Sequence, residues 1–228
     1  MENGKALIEI AKREGASLVS FGYVGDLVPP GYGDLTHAVS FAVHLSDRII
    51  EDIDSGPTHM YFQHYRTVNR LIDEIELKIG KEIESMGYRY FPVASSQSIN
   101  VNGAYYEGFF PHKTAATRSG LGWVGKNGLL VTPEFGPRVR LGTVLTDWVL
   151  PVDKPVTKSA CLSCDLCVKA CPAVALTGKN WEAGMARREI VDAKACSDHM
   201  SKHYKHIGRG SVCGICIAAC PKGRIYKK

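Results

Sequence analysis

Cys161-Leu162-Ser163-Cys164-Asp165-Leu166-Cys167-Val168-Lys169-Ala170-Cys171-Pro172 is the segment on which the reading of this 228-residue chain turns. It holds four of the eight cysteines, and no cysteine precedes it. A second run, Cys213-x2-Cys216-x3-Cys220-Pro221, repeats the last three positions of the first. In that register Gly210 takes the place of a leading cysteine, and Cys196 is the remaining thiol. Disulfide frameworks belong mainly to small exported domains. Thiols crowded into the C-terminal third of a chain without an export profile point instead to metal ligation.

The first spacing is that of a bacterial ferredoxin loop. Three close cysteines hold three corners of a cuboidal [4Fe–4S] cluster, and the fourth reaches a neighbouring cluster. Applied crosswise, this predicts one cluster on Cys161, Cys164, Cys167 and Cys220 and a second on Cys213, Cys216, Cys196 and Cys171, which uses every cysteine. A pair of four-cysteine zinc sites competes with this, because Cys-x2-Cys is also a zinc spacing. Zinc ligands usually arrive as two separated pairs, whereas here three cysteines crowd together and a fourth precedes proline. Charge follows the same logic. Lys and Arg exceed Asp and Glu by 28 to 23, a formal +5. Each oxidised cluster with its thiolates adds about −2, leaving the holoprotein at about +1. The basic excess, with the tail Lys222, Arg224, Lys227 and Lys228, is then read as a solvated face and not as a nucleic-acid site.

Upstream, a hydrophobic share of 45% is ordinary for a globular protein and excludes a mainly disordered or fibrous chain. No window approaches the roughly 18 apolar residues of a membrane span. The N-terminus lacks a secretory profile, so a cytoplasmic protein is expected. Residues 3–14 read as a helix capped by Asn3 and stopped by Gly15. Ala16 to Val24, Ala38 to Leu45 and Tyr88 to Val93 read as strands. Tyr61, Tyr65, Val68, Ile72, Ile75, Ile79, Ile83 and Met86 recur at steps of three and four, the core-facing stripe of a long helix closed by Gly87. Leu129 to Thr132 and Val139 to Thr146 are expected to pair as a hairpin around Pro133-Glu134-Phe135-Gly136-Pro137. The Pro- and Lys-containing stretch from Pro151 to Lys158 marks the expected boundary between an α/β domain over 1–150 and a cluster domain over 151–228.

The segment Arg118-Ser119-Gly120-Leu121-Gly122-Trp123-Val124-Gly125-Lys126-Asn127, with Leu129-Leu130, Pro133-Glu134-Phe135-Gly136 and Arg140 to Asp147, resembles epoxyqueuosine reductase. That family is cobalamin-dependent and related to the reductive dehalogenases. The resemblance implies an α/β (α+β) fold, with a nitroreductase-like, cobalamin-binding-type domain followed by a bacterial ferredoxin-like double-cluster domain. It further implies that Gly120, Gly122, Gly125, Lys126 and Asn127 approach a corrin, the glycines admitting close backbone contact; a structural Gly-rich turn is the alternative. Two departures narrow the expectation. The family's catalytic Asp, counted back from Trp123, falls at Tyr106, with Glu107 beside it. The C-terminal region associated with tRNA recognition has no counterpart before Lys228. Tyr106 or Glu107 is therefore the expected proton donor, by analogy with the dehalogenase Tyr, unless the aromatic group Tyr105, Tyr106, Phe109 and Phe110 simply packs.

The function expected from all this is an iron–sulfur oxidoreductase. It would take electrons from an external donor such as ferredoxin or flavodoxin and relay them through two [4Fe–4S] clusters to a corrinoid that reduces a small molecule; tRNA and membrane are not expected partners. The alternative is an electron-transfer or corrinoid-reducing protein without a substrate of its own. His59, His64, His199, His203 and His206 read as surface or supporting groups, and His112 with Lys113 as candidates for meeting an anion.

Overall fold

The computed structural model describes residues 4–99 and 106–223; Asn3, Tyr105, Arg224, Lys227 and Lys228 lie outside them. Along the chain run α1 (Lys5–Arg13), β1 (Leu18–Tyr23), β2 (His37–His44), α2 (Asp47–Glu51), α3 (His59–Ser85), β3 (Tyr90–Val93) and α4 (His112–Arg118). They are followed by β4 (Trp123–Val124), β5 (Leu130–Val131), β6 (Val139–Thr146), α5 (Leu166–Ala170), α6 (Ala193–His203) and α7 (Ile215–Ala218). The fold is mixed α/β. The chain forms two compact units, each assembled from three segments: Met1–His44, Val68–Leu121 and Arg140–Val156, and Leu45–Thr67, Gly122–Val139 and Thr157–Lys228. Two upstream segments, 45–67 and 122–139, thus belong with the cysteines, a finer division than one cut at residue 150.

The first unit is built on a four-stranded sheet in the order β1-β2-β6-β3. β1 and β2 are antiparallel, with Leu18 opposite Ala42 and Tyr23 opposite His37. β3 runs antiparallel to β6 and forms an edge, where Pro92 can sit without breaking a ladder on both sides. The periodic stripe of α3 is core: Val68, Ile72, Ile75, Ile79 and Ile83 are buried, each contributing roughly 1.5–3 kcal/mol. Met86 is exposed, because α3 ends at Ser85 and Gly87, at φ 85°, turns the chain just beyond it. Gly80 is required where α3 meets β3, since a Cβ there would lie 2.1 Å from the Tyr90 ring. Phe110 packs with Val24, Leu35, Ala38, Val93, Ala115 and Leu145, and Phe109 with Tyr32 and Phe91. Of the Tyr105–Phe110 aromatic group, Phe109 and Phe110 are thus packing groups.

One expectation is overturned. β5 pairs with β4, placing Trp123 opposite Val131, and β6 joins the sheet between β2 and β3. The Gly-rich run itself makes the turn of the β4–β5 hairpin: Gly125 N–H donates to Leu129 O, Gly128 has φ 70°, and Asn127 Oδ1 accepts from Leu129 N–H. The Pro133–Pro137 loop closes on itself through Thr132 and Gly136, which exchange backbone hydrogen bonds of 3.0 Å.

A polar network lies inside the first unit. Glu76, 1% exposed, accepts from Thr143 N–H at 2.8 Å, and burial pushes its carboxyl up to about 9. His112 Nε2 faces Ala94 O at 3.1 Å and its Nδ1 faces Thr143 Oγ1 at 2.9 Å. The carbonyl requires the proton on Nε2, so Nδ1 accepts from the Thr143 hydroxyl. Burial pushes this imidazole down to about 4. With both nitrogens engaged and the ring neutral, His112 is a structural group rather than an anion ligand.

Candidate metal centre

Both cysteine runs are turns leading into short helices. Cys164 N–H donates to Cys161 O at 2.9 Å, closing the first loop around Leu162, a non-glycine residue at φ 50°. α5 then carries Cys167, and Cys171 N–H bonds back to Val168 O. The second run enters α7 through Gly214 at φ 84°, where a Cβ would meet Ile53 and Tyr61 side chains. α7 carries Cys216, and Cys220 N–H bonds back to Ile217 O. α5 and α7 pack together, so equivalent helices of the two runs stand side by side.

The thiols act on one another in two sets. Cys167 is pushed up to about 11 by burial and then by Cys220, Cys161 and Cys164. Cys196 is pushed up to about 11 by burial and then by Cys213, Cys171 and Asp192. Burial also raises Cys216, followed by Cys213, Cys196, Cys167 and Cys171. Cys216 therefore feels its own set and one member of the other. Among the described residues no three Cys, His, Asp or Glu side chains converge to the spacing of a single metal ion. Thiols grouped this closely become thiolates together only when cationic iron offsets their charge, so this donor set fits two four-iron clusters.

Why the second run lacks its leading cysteine is visible in the backbone. Gly210 has φ 72°, and a Cβ there would lie 2.7 Å from Met200 O and from Ser201 Cα, on α6 itself. A side chain at 210 is excluded by the helix that presents Cys196. α6 is held by Asp192, whose carboxylate accepts from Ala195 N–H at 2.9 Å.

The Gly-rich residues serve the chain's own contacts. A Cβ at Gly120 would meet Lys154 O at 2.8 Å, one at Gly122 would meet Val131 O at 2.2 Å, and one at Gly125 would meet Asn127 Oδ1 at 2.7 Å. Lys126 is buried and donates from Nζ to Leu162 O at 2.8 Å; Asn180 Nδ2 donates to the same oxygen at 3.1 Å. Arg138, 2% exposed, lies 3.3 Å from Asp47 and donates to Lys222 O at 3.1 Å; its charge opposes the rise of the Cys220 thiol. Sequence reasoning missed Arg138 and Asn180, whose roles no local pattern marks. Gly136 and Gly223 permit a close crossing, with a Cβ at 136 only 2.1 Å from Lys222 O.

Tyr106 and Glu107 are exposed. Tyr106 has φ 64°, and Glu107 O accepts from Ile99 N–H at 2.6 Å. His199 and His203 stack with ring centroids 4.3 Å apart, presenting faces rather than lone pairs to each other. His64 Nε2 accepts from Ser46 N–H.

Residues 160–223 match the family described as the 4Fe-4S double cluster binding domain. Over 121 residues the chain is 36% identical to a tetrachloroethene reductive dehalogenase of Sulfurospirillum multivorans, covering 49% of this chain and 24% of that protein. Over 187 residues it is 28% identical to an epoxyqueuosine reductase of Vibrio cholerae, covering 75% and 44%. The chain thus spans less than half the length of each of these relatives. Among solved structures, a catabolic reductive dehalogenase in complex with 3-bromo-4-hydroxybenzoic acid superposes with a TM-score of 0.75 at 22% identity, over 97% of this chain and 32% of that one. Epoxyqueuosine reductase from Streptococcus thermophilus gives 0.63 at 19%, over 98% and 67%. The chain is a relative of the epoxyqueuosine reductases and the reductive dehalogenases, shares their fold, and carries over residues 160–223 a 4Fe–4S double cluster binding domain.

Proposed function

We propose that this chain is an iron–sulfur reductase that takes single electrons from an external donor of the ferredoxin or flavodoxin class and passes them through two [4Fe–4S] clusters to a corrinoid, for the reduction of a small molecule. The observation that carries the reading is the sorting of eight thiols into two sets of four, with Cys216 influenced by both. Cys161, Cys164, Cys167 and Cys220 hold one cluster, and Cys171, Cys196, Cys213 and Cys216 the other. Bound there, the clusters supply reversible one-electron transfer at fixed positions. The chain's own part is to shelter the thiolates, to hold α5 against α7 and so keep the sets adjacent, and to fix the first loop through Lys126 and Asn180. Tyr106 or Glu107 donates the proton, with Tyr106 standing where the epoxyqueuosine reductases carry Asp.

The corrinoid rests on likeness alone: one structural neighbour is a reductive dehalogenase that carries out B12-dependent dehalogenation. Gly120, Gly122, Gly125, Lys126 and Asn127 do not of themselves form a cradle for it, since each is engaged with the chain's own atoms. That engagement favours the second reading, an electron-transfer or corrinoid-reducing protein without its own substrate. Anaerobic reconstitution decides between them. About eight iron and eight sulfide per chain are expected; fewer than two clusters would end both readings. Cobalamin is then added and the cobalt(II) EPR signal recorded. A base-off signal supports the reductase, and no binding with both clusters intact leaves the electron carrier.

A further inference from the structure

Two cations are buried beside the predicted first cluster, and they differ in one respect. Arg138 is matched by Asp47. Lys126, 7% exposed, has a neutral carbonyl as its hydrogen-bond partner, and among the described residues no carboxylate pairs with it. A buried ammonium without a counter-anion is strongly unfavourable, and proteins keep one only where another group supplies the charge. The carbonyl that Lys126 grips belongs to Leu162, between the ligands Cys161 and Cys164. A cluster on those thiolates carries a net charge of about −2 when oxidised and about −3 when reduced.

We infer that Lys126 is the charge-compensating and positioning residue of the first cluster: its ammonium holds the Cys161–Cys164 loop and stabilises the cluster's reduced form over its oxidised form. This rests on the two-cluster reading. One electron arrives from an external one-electron carrier and is stored on the cluster, with no bond made or broken. The fixed positive charge favours the more negative state, so the first cluster has a higher potential than the same loop would give without it.

The experiment is an EPR-monitored redox titration of the anaerobic holoprotein, with iron and sulfide counted in each preparation. Lys126→Gln keeps an N–H donor without the charge; Lys126→Met keeps neither. At a fixed solution potential, each is expected to lower the ratio of reduced to oxidised first cluster by about tenfold, with a much smaller change at the second. Lys126→Arg should restore the ratio. Asn180→Ala removes the neutral donor from the same carbonyl and should shift the ratio far less than the neutral Lys126 variants do. An unchanged ratio in the neutral variants with both clusters loaded overturns the inference. So does an equal fall in Asn180→Ala, which would trace the effect to loop position. Should the neutral variants load only the second cluster, Lys126→Arg decides: recovery of loading and potential supports the inference, and loss of both overturns it. Fewer than two clusters in the unaltered protein would instead refute the cluster reading itself.

Discussion

Raising the pH from 6.5 to 9 should draw stability from the first unit through one carboxyl, that of Glu76. Its pKa is about 9 in the fold against an ordinary 4.5, chiefly because burial penalises its charged form. A carboxyl raised in this way contributes stability that is complete below 4.5 and lost as pH climbs through 9. His112 has the opposite sign: its pKa falls from 6.5 to about 4, so its contribution is complete above 6.5 and lost on acidification. Between 4.5 and 6.5 the two slopes cancel and a plateau is expected. Above 6.5 Glu76 acts alone, at about 1.4 kcal/mol per pH unit. At pH 7 the folded chain holds Glu76 protonated at a cost of about 3 kcal/mol relative to the ionised unfolded form. Glu76→Gln keeps the acceptor for Thr143 N–H and removes the titration. The variant should be more stable than the parent by about 3 kcal/mol at pH 7, converging with it near pH 4.5. Urea unfolding of the anaerobic holoprotein, read by amide exchange in α3 and β6 at pH 5, 7 and 8.5, measures this difference. Parallel profiles for parent and variant would refute the reasoning.

Cys196→Ala should halve the iron to about four per chain and leave the first cluster, and adding Gly210→Cys should not restore the second, because the backbone at 210 meets α6; recovery of full iron in the double variant would sink the ligand assignment. Arg138→Met leaves Asp47 buried without its guanidinium and should cost roughly 3–5 kcal/mol of stability by denaturant titration. Tyr106→Phe should slow turnover of a substrate at least tenfold while leaving the rate of cluster reduction by dithionite unchanged; an equal slowing of cluster reduction would count against a proton-transfer role.

What could be read from residues alone divides along locality. The α3 stripe was legible because a helix face is set by neighbours three and four apart, and Ile72, Ile75, Ile79 and Ile83 are all fully buried. The cluster domain was legible because cluster ligation is written in short cysteine spacings, and residues 160–223 match a double-cluster domain. The partner of β6 was not legible. Strand pairing is a long-range choice, and the local turn signals at Pro133 and Pro137 favoured a hairpin that the Thr132–Gly136 closure replaces. Lys126 and Arg138 could not be placed either, since the carbonyls they grip are 36 and 84 residues away in the chain. Lys126 stood out for the wrong reason, as a member of a Gly-rich motif, and the structure ties it to a cysteine loop.

The proposed crosswise ligand sets also impose an order of birth. As the chain leaves the ribosome, Cys161, Cys164 and Cys167 emerge together, but their fourth partner, Cys220, is among the last of the cysteines to appear. The other set waits for Cys216, after α6 has formed and delivered Cys196. Neither cluster can close before almost the whole module has been synthesised, and both then close within a few residues of each other. On the proposed ligand sets, iron–sulfur loading is therefore concerted, and ribosome-stalled intermediates ending before residue 213 should carry no complete cluster.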